Sequence, residues 1–417
     1  MKRCRKLLAL AVVVALALTL AAAGCAKEPV AEEVTLTFWH TYNTDSNENK
    51  VLMETLIPAF EAKYPHIKID AVVQPYDGLH DSLIAAVAGG MAPDLMRMDI
   101  IWVPEFAELG ALEPLDDYPG FDELAESVFP GPLSTNLYKG KHYGMPLNTN
   151  TQVIVYNPEF LQAAGLSEPP ATIEEFKAYA AEFTGQDGKY AFAPGGPYPW
   201  AMLPWFWSLG GRITNDDYTQ ASGYLDSDAS VAALETMAQF TKDGCWAPTL
   251  LGGQPGTWDG FKAGNYGAVL EGPWFFAILQ SELGDKMQGA PVPAGPGGSL
   301  SVVGGENIVI FESCRHKDAA WKFIQFMLSD EAQIAMAETG QMPVTFSASE
   351  SDVMKEVGYY GPYIEQLKTA LPRTPVPAWN KIDKILNDAF ESVFRGVASA
   401  REALTQAAEE IDLLLGE

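Results

Sequence analysis

The stretch VTLTFWHTYNTDSNENKVLMETLIPAFEAKYPHIKIDAVV, residues 34–73, decides the fold class of this chain. Val34, Leu36 and Phe38 alternate with other residues, which is the two-residue period of a strand. The polar stretch HTYNTDSNEN is interpreted as a loop, and apolar residues then recur at helical spacing from Val51 until a proline ends the run. The segment IKIDAVV alternates again. Strand, helix and strand in this order form a βαβ unit, which predicts an α/β fold with a parallel sheet and helices on its faces.

The same alternation of strand-like and helix-like segments continues along the chain. A helix is predicted over residues 77–88, and the segments PDLMRM and WVPEFAELG predict a short strand and a further helix. The pattern restarts after YGMPLNTNTQVIVYN, so a boundary between two lobes is placed near residues 148–151. The segment APVPAGPGG, residues 290–298, has the proline and glycine content of a connector. TIEE at 172–175 and SARE at 399–402 predict capping boxes that open helices.

The N-terminus carries a targeting segment. MKRCRK is a basic head, and the uncharged run LLALAVVVALALTLAAA follows it, as in a signal peptide over residues 1–24. Gly24 precedes Cys25, which resembles the lipobox of bacterial lipoproteins, although Ala22 stands where a leucine is usual. Lipidation of Cys25 is therefore predicted, with residues 25–33 as a short tether that holds the protein at a membrane through acyl chains alone. The alternative is a secretory signal cut nearby, which leaves an incidental cysteine.

Composition and charge limit the partners that this chain can have. The 417 residues are 47% hydrophobic and 19% charged, which suits a globular protein of two or three domains. The formal charge is −27, and loss of the four Lys and Arg residues of the signal peptide lowers it by four to −31. Nucleic acid and anionic lipid surfaces are therefore poor candidate partners. Cys245 and Cys314 fit no metal or redox spacing, and two separate buried thiols are expected rather than a disulfide.

Sequence motifs of catalysis are missing from the chain. There is no GxGxxG, P-loop, GxSxG or HExxH motif, and the five histidines are scattered without metal-ligand spacing. Adjacent acids such as Asp116-Asp117 are interpreted as solvated side chains. Hydrolytic carboxylates can be distant in sequence, so this pattern leaves enzyme activity without support and does not exclude it. No cofactor and no metal ion are expected.

Aromatic residues cluster where predicted elements end, next to amide and carboxylate side chains. Such surfaces suit sugars, because the C–H face of a pyranose stacks on an indole while its hydroxyls need fixed donors and acceptors. The candidate ligand-binding residues are Trp39, Tyr42, Asn43, Tyr76, Asp99, Trp102, Asn148, Trp200, Glu271, Trp274, Asn307 and Trp379. Core packing is the competing interpretation for any Trp, and it is preferred for those inside apolar runs, which are Trp205, Trp207, Trp246 and Trp321.

Several stretches also resemble one known family when taken in order along the chain. These stretches are LTFWHTYN, AAVAGGMAPDLMRMDIIWVPEFAELGALEPLDDY, YGMPLNTNTQVIVYN, FKAGNYGAVLEGPWFF, VPAGPGG, AAWKFIQFMLSDEAQ and SAREALTQAAEEI. They are similar to segments of the extracellular solute-binding proteins of ABC sugar importers, the group that includes maltodextrin-binding protein. The resemblance implies a type II periplasmic-binding-protein-like fold, with two α/β lobes around a hinge and a ligand cleft between them. Lobe 1 would comprise 34–148 and 302–346, and lobe 2 would comprise 149–301 and 347–417.

The resemblance also implies roles for three tryptophans. Trp274, in the corner EGPWFF, matches a residue that stacks on sugar in maltodextrin-binding protein. Trp379 matches a further aromatic platform, and Trp200 falls near a third platform, where the relative has Tyr. The loop HTYN departs from the relative's polar loop and Trp102 replaces a charged residue there, so the identity of the sugar does not carry over.

The resemblance implies a non-catalytic, extracytoplasmic protein that acts as a monomer, captures a sugar or oligosaccharide and delivers it to an ABC permease. A first alternative keeps the fold but binds glycerol 3-phosphate or a glycerol phosphodiester, for which Arg97, Arg212, Arg373 and Lys381 are the candidate phosphate ligands. The second alternative is a secreted glycoside-active enzyme. A sensor that presents sugar to a receptor kinase would share the same site.

Overall fold

The computed structural model describes residues 33–184, 186 and 188–416, and the predicted signal peptide and Cys25 lie outside this range. The strands, in chain order, are β1 (Val34–His40), β2 (Ile67–Val73), β3 (Leu95–Asp99), β4 (Leu137–Tyr138), β5 (Lys141–His142), β6 (Met145–Asn150), β7 (Val153–Tyr156), β8 (Ala268–Glu271), β9 (Gln288–Ala290), β10 (Ser301–Val302), β11 (Gly304–Ile310) and β12 (Ala370–Leu371).

Helices alternate with these strands over most of the described chain. They span Asn47–Val51, Ile57–Lys63, Leu79–Ala88, Val103–Glu108, Phe121–Ser127, Pro130–Ser134, Pro158–Ala163, Ile173–Ala181, Pro199–Ser208, Asp228–Lys242, Thr257–Lys262, Pro273–Leu283, Lys317–Met327, Asp330–Ala337, Phe346–Ser349, Asp352–Glu356, Tyr360–Leu367, Trp379–Phe394 and Ala400–Leu415. A π-helical turn, Leu52–Leu56, joins the first two, and 3₁₀ turns lie at Pro248–Leu251 and Gly284–Lys286.

The N-terminal βαβ unit has the predicted order, with one difference at the helix. Val34 pairs with Ile67 and His40 with Val73, so β1 and β2 lie parallel along their whole length. The helical segment begins at Asn47, inside the stretch interpreted as a loop, because the Ser46 side chain accepts a hydrogen bond from the backbone of Asn49 and caps it. A polar N-cap inside a polar stretch therefore extended the helix beyond its apolar periodicity.

Two sheets form the cores of the two halves. The first has the order β2-β1-β3-β11-β6 and the second the order β8-β7-β9. The prediction of a parallel sheet is correct for β1, β2 and β3, but β11 runs antiparallel to both β3 and β6, and the second sheet is antiparallel throughout. β11 enters the first half from the second and runs against the other strands, whereas β6 keeps the direction of β3.

The segments that cross between the two halves lie close together. β6 leads into β7 within three residues, and β10 leads into β11 through a single residue. β12 pairs with β10, and Thr149 pairs with Met342, so segments distant in sequence are tied together at the same place. This layout agrees with the predicted hinge, and the lobe boundaries at 148, 301 and 346 stay a prediction.

Each half has its own hydrophobic core. Phe38, Phe60 and Phe323 pack edge to face beneath the first sheet. In the second half, Trp205 packs with Phe176 and Trp246, and the two C-terminal helices close this core. The four tryptophans assigned to the core, Trp205, Trp207, Trp246 and Trp321, are at most 5% exposed, as predicted.

The two predicted capping boxes and the two separate buried thiols are present among the described residues. Thr172 with Glu175, and Ser399 with Glu402, form complete capping boxes. Cys245 and Cys314 are buried free thiols. Within the described ranges, no helix is both long and apolar enough to cross a bilayer, and no group of three His, Cys, Asp or Glu side chains is placed to hold a metal ion.

Candidate functional site

A cavity of about 600 Å³ lies where the two halves face each other. The first half contributes the end of β3, the start of β11, and the residues before and at the start of the helix Leu79–Ala88. The second half contributes the starts of the helices Pro199–Ser208, Pro273–Leu283 and Trp379–Phe394. Its volume lies within the range of small-molecule sites in proteins.

Two tryptophans form the aromatic wall of the second half. The rings of Trp200 and Trp274 are nearly parallel, with centroids 6.4 Å apart and planes at 26°. Trp274 follows Pro273 at the helix start, and its ring lies over Gly272, where a Cβ would come within 2.2 Å of the ring. The corner EGPW thus projects the indole out of the helix, and only glycine before the proline leaves it room.

Hydrogen bonds hold both indoles in place. Trp274 Nε1 donates to Glu271 Oε2 (3.2 Å), and Trp258 Nε1 donates to Glu271 Oε1 (2.6 Å). In the amide orientation that satisfies both groups, Gln152 accepts from Trp200 Nε1 (2.9 Å) and donates to the Trp200 carbonyl (2.7 Å). The aromatic wall is therefore fixed by buried polar partners, with Trp200 tied to the hinge.

A second aromatic pair lies on the first half. Tyr76 and Trp102 stack with centroids 5.6 Å apart and planes at 18°. Tyr76 is 51% exposed, and its hydroxyl donates to Asp99 Oδ2 (2.8 Å). Trp102 is 4% exposed, so Tyr76 supplies the exposed ring on this side of the cavity and Trp102 supports it from behind.

An arginine joins the two halves across the cavity. Arg373 Nη2 lies 3.4 Å from Asp99 Oδ1, and the guanidinium is centred 5.0 Å from the Trp200 ring. Behind the cavity wall, Arg97 Nη2 lies 2.6 Å from Glu306 Oε2, which also accepts from Asn148 Nδ2 (2.7 Å). Both buried arginines are thus paired with carboxylates.

A second polar contact between the halves involves His80. His80 Nε2 lies 2.8 Å from Glu105 Oε2, and Asn380 Nδ2 donates to the same oxygen (2.8 Å). The hydrogen bond to Glu105 is the largest influence on His80 and raises its pKa above 6.5, against the opposing effect of burial. Asn380 is the second residue of the helix Trp379–Phe394, so this contact joins that helix to the first half.

This geometry predicts how stability depends on pH. A raised pKa means that protonated His80 stabilises the folded state fully below 6.5, and that this contribution is lost as the pH rises through the raised value. Since the side chain is 22% exposed, the contribution is at most about 1 kcal/mol. Denaturant unfolding of wild type and His80→Gln should show a larger difference at pH 6 than at pH 9. A difference that grows with pH would contradict the assignment.

Six of the twelve predicted ligand-binding residues lie at the cavity or directly beside it. Tyr76, Asp99, Trp102, Trp200 and Trp274 line it. Glu271 lines an adjoining cavity of about 320 Å³ behind the tryptophan pair. Burial raises the pKa of Glu271 to about 7, although the two indole N–H groups oppose the shift.

The other six predicted residues do not line the cavity. Trp39 packs against the core beside Leu79 and Met96, and Tyr42 is buried with its ring 4.3 Å from the Arg97 guanidinium. Trp39 lies in β1 and Tyr42 follows that strand, and neither lines the cavity. Asn43, on the same turn, is exposed.

The remaining three predicted residues are buried and do not line the cavity. Asn148 is engaged with Glu306, and Asn307 is fully buried, where it accepts from Asn136 Nδ2 (2.9 Å). Trp379 is 1% exposed and belongs to the core of the second half. The helix begins at Trp379, and its indole turns inward while the next residue, Asn380, reaches the cleft.

Sequence reasoning missed several residues that line the cavity. Tyr198, Asn150, Glu306, His80, Asn380 and Asp383 were not selected. Asn380 and Asp383 lie one and four residues after Trp379, so the pattern of polar residues along that amphipathic helix could have predicted them. Asn150 and Glu306 come from the crossing strands, and only the pairing of those strands places them here.

The candidate phosphate ligands do not come together. Arg97 and Arg373 are paired with Glu306 and Asp99, and Lys381 is exposed. Arg212 pairs with Asp216 on the second half, where it lines a separate cavity of about 490 Å³. No two of these cations converge to hold one phosphate group.

A glycine at the hinge controls the position of Trp200. A Cβ on Gly304 would come within 2.2 Å of Asn150 Oδ1 and 2.5 Å of Trp200 Cη2. Gly304→Ala is therefore expected to push the indole from its place, with overpacking of about 1–3 kcal/mol, and to weaken ligand binding about tenfold. Calorimetry measures the affinity. Gly361→Ala, at a site with nothing within 4 Å of the new Cβ, is the matched control; equal effects of the two substitutions would contradict the role of Gly304.

Comparisons with known proteins identify the family. The chain is 27% identical to the maltotriose-binding protein of Pyrococcus abyssi over 377 residues, which cover 84% of this chain and 77% of the relative. It is 26% identical over 418 residues to an uncharacterized lipoprotein of Streptomyces antibioticus, covering 95% of this chain and 90% of the relative. The crystal structure of the GacH receptor of Streptomyces glaucescens, solved unliganded and with acarbose, superposes with a TM-score of 0.83 at 26% identity and covers 92% of this chain and 99% of that chain.

The structural match covers both halves, so the fold is of the predicted periplasmic-binding-protein-like type II, with a cleft between two α/β lobes. The bacterial extracellular solute-binding protein family matches residues 55–358, which is more than half of the chain. This protein therefore belongs to the bacterial extracellular solute-binding proteins.

Proposed function

We propose that this protein captures a sugar or oligosaccharide outside the cytoplasmic membrane and delivers it to the permease of an ABC transporter. The observation that carries the proposal is the cavity between the halves, with the Trp200–Trp274 pair on one side and Tyr76, supported by the buried Trp102, on the other. Flat apolar faces on both sides with Asp99 between them suit a pyranose, which has apolar faces and polar edges. The relatives named for maltotriose and acarbose agree with this ligand class.

Charge favours a carbohydrate over a phosphate ester at this site. Both buried arginines near the cavity already have carboxylate partners at 2.6 and 3.4 Å. A phosphate group would need a free cation or would have to displace one of these carboxylates into a buried environment, which is unfavourable. The site therefore supports a ligand without phosphate.

In the proposed mechanism, the ligand is bound and not cleaved. The sugar first binds one lobe and then gains contacts with the other, so it shifts the equilibrium toward the closed form by its differential affinity. Arg373 with Asp99, and Asn380 with Glu105, are contacts between the halves that the closed form would retain. We propose that the closed form docks on the permease as a single chain, with residues 149–301 and 347–417 moving as one lobe.

A thermal-shift screen with neutral glycans, glycerol 3-phosphate and glycerol phosphodiesters, followed by calorimetry, tests this function. We expect one or more glycans to raise the melting temperature, with a Kd in the micromolar range, equivalent to about −8 kcal/mol. Prolonged incubation should leave the glycan intact. Exclusive binding of a phosphate compound would overturn the ligand class, and cleavage of the glycan would overturn the non-catalytic mechanism.

We further propose that Cys25 is lipidated and holds the protein at the outer face of the cytoplasmic membrane. The support is the Gly24-Cys25 pair after the signal-like segment, and a relative described as a lipoprotein. Cys25→Ser should move the protein from the membrane fraction to the soluble fraction, because acyl chains supply its membrane affinity. Detergent phase partition and the mass of the N-terminal peptide measure this. Membrane retention of the Ser variant would contradict it.

A further inference from the structure

The paired strands β6 and β11 form the part of the cavity wall beside Trp200. Asn150 pairs with Gly304, and Glu306 lies two residues further along β11, opposite Asn148. Asn150, Gly304 and Glu306 all line the cavity. Residues that lie diagonally across two paired strands are about 7–8 Å apart, so the side chains of Asn150 and Glu306 reach the same part of the cavity. Their spacing is set by the sheet and does not depend on how the two halves are placed.

Each of these two side chains keeps one polar atom available at the cavity. Glu306 Oε2 accepts from Asn148 Nδ2 (2.7 Å) and lies 2.6 Å from Arg97 Nη2, while no hydrogen bond from a described residue reaches Oε1. The buried Oδ1 of Asn150 turns toward Gly304, and Nδ2 has no partner among the described residues. Glu306 therefore offers an acceptor and Asn150 offers a donor. A sugar unit can satisfy both, because each of its hydroxyls donates and accepts.

Arg97 supports Glu306 from behind the cavity wall. The arginine side chain is 7% exposed, and it also donates from Nη1 to Thr41 Oγ1 (2.6 Å) and from Nη2 to Gln341 Oε1 (3.4 Å). Two further segments of the chain thus fix the guanidinium in place. Burial raises the pKa of Glu306, the charge of Arg97 opposes this rise, and the charge of Asp99 adds to it. Arg97 therefore favours the ionised form of the carboxylate and holds its direction.

We propose that Glu306 and Asn150 bind the hydroxyl edge of one sugar unit and determine specificity for it, with Arg97 as the positioning residue behind Glu306. Glu306 Oε1 accepts from one hydroxyl, and Asn150 Nδ2 donates to another oxygen of the same unit. A hydrogen bond to an ionised carboxylate is about twice as strong as one between neutral groups, so Glu306 dominates the pair. This assignment rests on the proposed function and names the residues that recognise the sugar at the same site.

A double-mutant cycle tests the assignment by calorimetry at pH 7, with whichever of maltotriose, cellotriose and arabinotriose binds the wild type most tightly. Glu306→Gln keeps the shape but loses the charge and should weaken binding about tenfold. Arg97→Gln should weaken it by the same factor, and the double variant should lose no more than Glu306→Gln alone, because Arg97 acts through Glu306. Asn150→Ser should separately weaken binding about tenfold. Glu312→Gln, at an exposed position just after β11, is the matched control and should keep wild-type affinity.

The pH profile of binding separates a positioning role of Arg97 from a structural one. Arg97→Gln removes the charge that opposes the raised pKa of Glu306, so more of the carboxyl is protonated at pH 7. Its affinity should therefore rise severalfold from pH 7 to pH 9, as Glu306 ionises. The double variant has no carboxyl at this position and should show no such recovery.

The outcomes separate this assignment from the proposed function. Melting temperatures verify that each variant is folded, and the double variant leaves neither buried charge unpaired, so its tenfold loss can be measured even if a single variant does not fold. Wild-type affinity in the double variant or in Asn150→Ser would overturn the assignment and leave carbohydrate capture intact. Additive losses from Arg97 and Glu306, or an Arg97→Gln affinity that does not recover at pH 9, would overturn the positioning role. Failure of all three trisaccharides and of every glycan in the screen to bind would overturn both proposals.

Discussion

Replacement of Trp274 by alanine is expected to abolish most of the ligand-induced rise in melting temperature and to weaken binding about thirtyfold. The ring lines the cavity and stacks beside Trp200, so a bound sugar would cover about 100 Å² of its face, worth roughly 2 kcal/mol. The loss should appear in Kd, because the ring stands at the surface of the cavity and supports little of the core. Calorimetry with the best glycan from the screen measures it.

The matched control is Phe346→Ala, which removes an aromatic ring that is 45% exposed and lies outside the cavity. Its affinity should equal that of the wild type. Trp274→Phe keeps a smaller flat face but loses the N–H that donates to Glu271, so its affinity should fall between wild type and Trp274→Ala. A Trp274→Ala protein that still binds with wild-type affinity would show that the ring belongs to the scaffold.

Local sequence signals predicted the parts of this fold that depend on neighbouring residues. The apolar alternation of β1 and β2 and the two capping boxes are short-range patterns, and each is present as predicted. The corner at Gly272-Pro273 also has a local cause, since proline begins a helix and the extended glycine leaves room for the ring. The corner alone did not place Trp274 in the cleft; the resemblance to sugar-binding proteins did, and Trp274 does line the cavity.

The parts that could not be predicted depend on contacts between distant segments. β11 lies between β3 and β6 because the chain returns to the first half after about 150 residues, and no local pattern encodes its direction. This return places Glu306 at the cavity and ties it to Arg97. Whether an arginine is free for a phosphate or engaged by a carboxylate likewise depends on contacts between distant segments, and here Arg97 and Arg373 are both engaged.

The direction of a side chain at a helix start also escaped prediction. Trp379 and Trp274 both follow a turn that contains proline, and both were predicted to bind the ligand. Trp274 is N2 of its helix and lies over a glycine, whereas Trp379 is the first residue of a strongly amphipathic helix and turns toward the apolar side with Ile382 and Leu386. The indole of Trp379 lies on the buried apolar face of that helix, and Asn380 lies on the polar face that lines the cleft.

Trp379 should accordingly act on stability rather than on binding. Trp379→Ala removes a side chain that is 1% exposed from the core of the second half, and this is expected to lower the free energy of unfolding by about 3–5 kcal/mol through the lost contacts and the cavity left behind. The indole N–H is buried without a partner among the described residues, so Trp379→Phe removes an unsatisfied donor along with some volume. Its destabilisation should therefore stay below about 1.5 kcal/mol.

The phenylalanine variant separates the two roles that the sequence left open for Trp379. Because it keeps the fold, its glycan affinity can be compared directly with that of Trp274→Phe in the same calorimetric assay. A core residue predicts an affinity within about threefold of wild type, since the ring has no face toward the cavity. If Trp379→Phe instead weakens binding as much as Trp274→Phe does, then the indole reaches the ligand in the bound state, and the helix start must rotate on closure to bring it there.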